Sequence, residues 1–296
     1  MDTIPSKTDR KRIKETKMSA QVIEYYNQCH VDYEILWRSH QNLCIHFGYF
    51  DDQHDSHAKA LPNMNRVLAK RAAITNGETV LDAGCGVGGS SIWLAEQLGA
   101  KVCGINIQPL HLQIARREAT ERGVDHLVRF VEKNYCDTGE PEKTFDVVWA
   151  LESVCHCTDK MAFIKEAHRV LKPGGRLMVA DFFQFKRDLN DAESDCMRMW
   201  LDGWALPHLA GVSEFGEAIT LAGFQNVECD DITANVIRSS RRIWKASLII
   251  LPLSKPLELV GLRSKRQTAN VLAARHQYTT MRDGLWGYSV FTARKP

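Results

Sequence analysis

Among the 296 residues there is no CxxC pair, no long hydrophobic run and almost no net charge. Nine cysteines are an odd number for a disulfide framework. The nearest approach to a metal-ligand spacing, Cys155 and Cys157 around His156, has no second pair beside it. The thiols therefore read as reduced, and no metal site is expected. The longest apolar run, ASLIILPL at 246–253, falls far short of the roughly 20 residues that span a bilayer and is broken by Pro252. No stable membrane insertion is expected. A net charge of +2 is too small to argue for nucleic acid as a general partner. Residues 1–18 are polar and basic with no apolar stretch behind them, so they read as a basic arm rather than a secretory signal, and the expected location is cytoplasmic.

What is present is an ordinary globular composition, 44% apolar and 25% charged, enough for one large or two small domains. Residues 19–75 read as an N-terminal helical cap, because aromatic and apolar positions recur at helical spacing ahead of the irregular HFGYFDDQHDSH. From residue 76 the pattern changes. Short β-rich runs (79–82, 101–105, 127–131, 145–150, 175–181) alternate with helical ones (89–98, 109–122, 160–171), which predicts right-handed βαβ crossovers and a mostly parallel sheet. In HRVLKPGGRLMVADF a helix is expected to end at Lys172, with Pro-Gly-Gly turning the chain into the next strand. A helix at 214–222, a strand at 225–231, a long mixed helical segment at 232–284 and a closing strand at 285–294 complete the expectation.

The chemistry begins at VLDAGCGVGG, where an apolar strand ends in Asp82 and leads into Gly84, Gly86, Gly88 and Gly89 and then a helix. Such a turn lets main-chain atoms touch a ligand lying across the strand's carboxyl end. A dinucleotide site would show GxGxxG, and a phosphate loop would end in Lys-Ser or Lys-Thr; neither is present. An acid beside the loop repels a pyrophosphate but suits the amino group of an amino-acid moiety.

These residues resemble the first motif of the class I S-adenosylmethionine-dependent methyltransferases, and VLKPGG follows in the order that family requires. The resemblance implies an α/β, Rossmann-like core with a mostly parallel seven-stranded sheet, S-adenosylmethionine as cofactor and S-adenosylhomocysteine as product. Residue by residue it implies a cofactor site of Asp82, Gly84, Cys85, Gly86 and Gly88, with Asn106, Ile107 and Gln108 toward the ribose and Asn134, Tyr135 and Leu151 toward the adenine and methionine. An amide at 106, where the family often has an acid, can still hydrogen-bond a diol, without charge.

YYNQCHVDYEILW (25–37), HFGYFD (46–51) and ALESVCHCTDKMAFIKEAHRVLKPGG (150–175) together resemble the sterol C-methyltransferase and γ-tocopherol methyltransferase branch, which implies a hydrophobic isoprenoid acceptor. An alkene attacking a sulfonium methyl leaves a carbocation, so that chemistry needs aromatic faces and a base. Tyr25, Tyr33, Trp37, Phe47, Tyr49, Trp200 and Trp204 are the candidate faces, and Glu152 and His156 the candidate bases. Segments 184–212 and 232–284 are expected to cover the acceptor. Within the second, Arg241, Arg242 and Arg266 belong to a basic run that either lies solvated or clamps a prenyl diphosphate such as farnesyl diphosphate, with Mg2+ implied only in that case. Methyl transfer to oxygen or nitrogen of a small metabolite, and cofactor binding without catalysis, stay open at this point. The aromatic-rich cap also offers a surface for a twofold mate.

Overall fold

A computed structural model describes residues 23–29 and 43–296; the basic arm, Tyr33 and Trp37 lie outside the described residues. The predicted alternation becomes a seven-stranded sheet in the order β3-β2-β1-β4-β5-β7-β6. Its strands are β1 (Thr79–Ala83), β2 (Lys101–Asn106), β3 (Val128–Glu132), β4 (Phe145–Leu151), β5 (Leu171–Gln184), β6 (Gln225–Asp231) and β7 (Trp286–Arg294). The first five pair in parallel, and β7 runs antiparallel to both β5 and β6. The strand order reverses between β1 and β4, so the crevice beyond their carboxyl ends is where this topology leaves room for a ligand.

The helices, numbered in chain order, are α1 (His57–Arg71), α2 (Gly89–Leu98), α3 (Pro109–Glu121), α4 (Lys160–Val170), α5 (Asp191–Gly203), α6 (Val212–Leu221), α7 (Thr233–Leu259) and α8 (Lys265–Arg282), with residues 23–29 also helical. The mixed segment before the last strand thus resolves into the pair α7 and α8. A capping box starts α8, in which the Ser264 hydroxyl accepts from Gln267 N at 3.1 Å and Gln267 Oε1 accepts from Ser264 N at 2.9 Å. The helix α7 continues through Pro252 and Pro256, each of which removes one helical N–H donor.

The largest boundary difference from expectation lies at the start of β5. The helix α4 ends at Val170, and β5 starts at Leu171 rather than after the glycines. Leu171 pairs with Phe145 and Arg176 with Val147, so Lys172–Gly175 forms a bulge within the strand. Gly174, at φ 76°, absorbs the bend.

Two apolar layers sandwich the sheet. One contains Trp149, Trp200, Trp286 and Tyr288, the other Phe163, Phe183, Phe215 and Phe291. Alternation along β7 sends Trp286, Tyr288 and Val290 to the first layer and Phe291 and Ala293 to the second. That alternation brings the Tyr288 hydroxyl within hydrogen-bond reach of Glu152, just beyond β4.

Candidate active site

Two adjoining cavities occupy the crevice, enclosing about 1120 and 740 Å3 of empty space with their open mouths included. The larger is floored by the glycine loop, and its three spaced glycines do different work. A Cβ on Gly84 (φ 97°) would sit 2.5 Å from Ser153 Cβ, and one on Gly88 (φ 87°) 2.8 Å from Ala115 Cβ. Both therefore serve close packing. A Cβ on Gly86 (φ 53°) would meet nothing within 4 Å, because that position faces the cavity. The backbone N–H groups of Gly84 and Cys85 both donate to Ile105 O at 3.0 Å, which pins the loop to β2.

Asp82, at the end of β1, is buried and accepts a hydrogen bond from the Ser91 hydroxyl at 2.6 Å. Burial pushes its carboxyl up to about 7, against the opposing effect of Ser91. A cationic ligand would bring it back down, so the residue fits an ammonium group. Cys85, Ile107, Asn134, Tyr135 and Leu151 line the same cavity, as does Asn106. Asn106 Nδ2 also donates to Gly86 O at 3.2 Å and so braces the glycine loop. The Tyr135 hydroxyl donates to Ser153 O at 3.0 Å.

Two expected cofactor contacts are placed elsewhere. Gly88 supports packing, as above. Gln108 is buried, with Nε2 donating to Ile23 O at 3.2 Å and to Asn27 Oδ1 at 2.9 Å, so its amide fastens helix 23–29 to the core.

The second cavity adjoins the first at Tyr26, Ile45, Glu152 and His156, the four residues common to both linings. Glu152 follows β4 directly and has φ 48°, a left-handed conformation that costs a non-glycine residue roughly 1–3 kcal/mol. Its Oε1 accepts from Phe47 N at 2.6 Å and from the Tyr288 hydroxyl at 2.9 Å. Burial outweighs both donors and pushes the carboxyl up to about 8. His156 Nδ1 lies 3.4 Å from Ala205 O, an atom that can only accept, so Nδ1 carries the proton. Nε2 is then the acceptor for the Tyr26 hydroxyl at 3.3 Å. Burial lowers His156 to about 4, which keeps the imidazole neutral at physiological pH.

Aromatic and aliphatic groups make up most of this second chamber's wall: Phe47, Phe182 and Trp204, Ile243 and Ile250 of α7, and Val271 and Ala274 of α8, with Ser247 and Asn270 among them. Among the described residues no lysine or arginine lines it. Arg241 is exposed and Arg242 and Arg266 are half-buried, and none of the three lines either cavity. Arg241 lies about 200° around the α7 axis from the inward-facing Ile243, so of the two readings of the basic run its placement favours the solvated one.

Other aromatic expectations divide in the same way. Phe47 and Trp204 line the chamber, whereas Trp200 is a core residue whose ring centroid lies 4.3 Å from that of Trp286. Tyr49 is half-buried and packs against the core. Tyr25 is fully buried behind the chamber wall, its hydroxyl donating to Asn270 Oδ1 at 2.8 Å. Its neighbour Tyr26, one position on, is the tyrosine that faces both cavities. Tyr26, Tyr288, His46 and His111 were not foreseen; the doublet Tyr25-Tyr26 and the period-two pattern of β7 were the only signals for the first two. Among the described residues no group of three or more His, Cys, Asp or Glu could hold a metal ion.

Residues 81–179 match the family model described as a methyltransferase domain. The 27-O-demethylrifamycin SV methyltransferase of Amycolatopsis mediterranei is 30% identical over 259 residues, 85% of this chain and 90% of that one. The 2-methyl-6-phytyl-1,4-hydroquinone methyltransferase of Synechocystis is 36% identical over 212 residues, 68% of this chain and 61% of that one. A solved geranyl diphosphate methyltransferase, in complex with GPP and sinefungin, superposes with a TM-score of 0.74 at 19% identity, covering 95% of this chain and all of the other, a likeness that shows the fold. With the glycine loop, the cavity beyond it and these relatives in agreement, the chain belongs to the class I S-adenosylmethionine-dependent methyltransferases, in the branch of the sterol and tocopherol enzymes.

Proposed function

We propose that the protein methylates an alkene carbon of an isoprenoid-type acceptor without a charged head group, and that Glu152 accepts the proton the methylated acceptor then releases. The observation that carries this reading is the composition of the second chamber: mostly aromatic and aliphatic walls with Ser247 and Asn270 among them, no cation among the described residues, and one buried carboxylate where it adjoins the cofactor cavity. A diphosphate entering that chamber would lose its hydration without gaining a counter-ion. Segments 184–212 and 232–284 supply several of the walls through Trp204, Leu206, Ile243 and Ile250, which supports their reading as acceptor covers.

The cofactor supplies a methyl group on a positively charged sulfur. Asp82, Gly86, Asn106, Asn134 and Tyr135 would hold it, and the remaining work belongs to the chain. The acceptor's π electrons form the new carbon–carbon bond while the sulfur keeps the electron pair of the bond that breaks. The positive charge left on the acceptor faces Phe47, Tyr26 and Trp204, whose π faces favour a cation. Glu152, held by Phe47 N and Tyr288, is ionised in only about a tenth of molecules at pH 7 when its midpoint is about 8. A sulfonium nearby raises that fraction by direct attraction. Loss of a proton from the acceptor to Glu152 restores a neutral alkene.

Transfer to a hydroxyl oxygen is the second reading, favoured by one observation: the neutral imidazole of His156 stands at the same junction with Nε2 as its acceptor nitrogen. Competition between farnesol and farnesyl diphosphate tests the uncharged-acceptor reading. Methyl incorporation into the alcohol and not the diphosphate is expected; preference for the diphosphate would overturn it.

A further inference from the structure

The basic run that fails to reach the acceptor chamber has another feature. Among the described residues twelve large apolar side chains are exposed, and seven of them fall within residues 248–262, at the tip of the α7–α8 pair. Ile249, Leu253, Leu259, Val260 and Leu262 are between 59% and 87% exposed. Residues 241–266 contain seven lysines and arginines against the single acid Glu258, although the whole chain carries a net charge of only +2. Lys245, Lys255 and Lys265 are exposed around the apolar tip.

We propose that this tip is a docking surface for an anionic lipid bilayer, with the apolar side chains entering the interface and the surrounding cations meeting lipid head groups. No helix of the described residues is long and apolar enough to cross a membrane, so the contact is superficial. An apolar centre ringed by cations is complementary to anionic lipid, whereas in a second copy of the chain it would face its own charge. The inner face of the same helix, through Ile243, Ser247 and Ile250, walls the acceptor chamber. Docking therefore brings the chamber next to the phase into which a hydrophobic acceptor partitions. That consequence rests on the proposed acceptor class; the docking itself does not.

The test is co-sedimentation of the full chain, without acceptor, with phosphatidylcholine vesicles containing or lacking phosphatidylglycerol. Binding is expected to need phosphatidylglycerol and to weaken as salt is raised. Leu259→Asp/Leu262→Asp and, separately, Lys255→Glu/Lys265→Glu should each reduce vesicle affinity by about tenfold or more, with S-adenosylhomocysteine affinity and Tm unchanged. Equal binding to both vesicle types, or charge-reversed protein binding as well as wild type, would overturn the proposal. So would a leucine variant that converts a dimer to a monomer in sedimentation velocity while leaving vesicle binding intact, because the tip would then hold a second copy. Since no acceptor is present, failure here leaves the methylation reading standing, and the reverse also holds.

Discussion

Replacing Glu152 by Gln probes the proposed base with little disturbance of its surroundings. The amide oxygen can still accept from Phe47 N and the Tyr288 hydroxyl, which lie 2.6 and 2.9 Å from Oε1 in the wild type, so the loop after β4 keeps its anchors. What is lost is the ability to take a proton. Turnover should fall by roughly two to four orders of magnitude, which corresponds to about 2.7–5.5 kcal/mol of barrier. S-adenosylhomocysteine affinity, read by calorimetry, should hold. The wild-type rate has its own signature: kcat/KM should rise about tenfold per pH unit below the Glu152 midpoint, which is about 8 in the cofactor-free protein and lower beside the sulfonium, and level off above it. Tyr288→Phe separates base from support. It removes a donor that lowers the Glu152 pKa and is worth about 1.5–3 kcal/mol toward a carboxylate, so the midpoint should move upward by about one to two pH units with the plateau largely kept. A tenfold or smaller loss in Glu152→Gln, with an unmoved pH profile in Tyr288→Phe, would refute the assignment and leave His156 as the better candidate.

Further outcomes follow from the same geometry. Gly86→Val places a side chain in the cofactor's space and should abolish S-adenosylmethionine binding in a folded protein, whereas unchanged calorimetric affinity would show that the loop faces elsewhere. Ile250→Trp should raise the acceptor KM about tenfold or more by filling the chamber, with cofactor affinity unchanged. Arg241→Ala and Arg266→Ala, assayed in detergent, should keep acceptor KM within about twofold, because neither residue lines a cavity. Glu152 and Asp82, raised to about 8 and 7, bind more protons folded than unfolded. The stability they contribute is therefore complete below their unfolded pKa and is lost as pH rises through 7 to 8. Thermal melts of the cofactor-free protein should accordingly show Glu152→Gln gaining on wild type at about pH 9 and not at about pH 5.

The parts of this molecule that follow from local rules were readable in its sequence. Asp82 and the glycines announce a ligand-binding turn because few other residues adopt φ values of 53° to 97° so readily. Glu152 stood out because a carboxylate just beyond an apolar strand has nothing to do in a core. Rotational phase and long-range pairing were harder. Tyr25 and Tyr26 look alike in sequence, yet one helical step of about 100° puts the first behind the wall and the second at the junction. The arginines of α7 were visible as a cluster, but which face they share depends on how α7 packs on α8. Tyr288 reaches Glu152 across 136 residues of chain, and no local pattern encodes that pairing.

The most direct test of the account is the bonding of the transferred carbon. Product from 13C-methyl-labelled S-adenosylmethionine and an uncharged isoprenoid alkene, examined by NMR, should carry the label on carbon, next to a double bond that has kept or shifted its position. A label found on oxygen, or incorporated only when the acceptor bears a diphosphate, would contradict it.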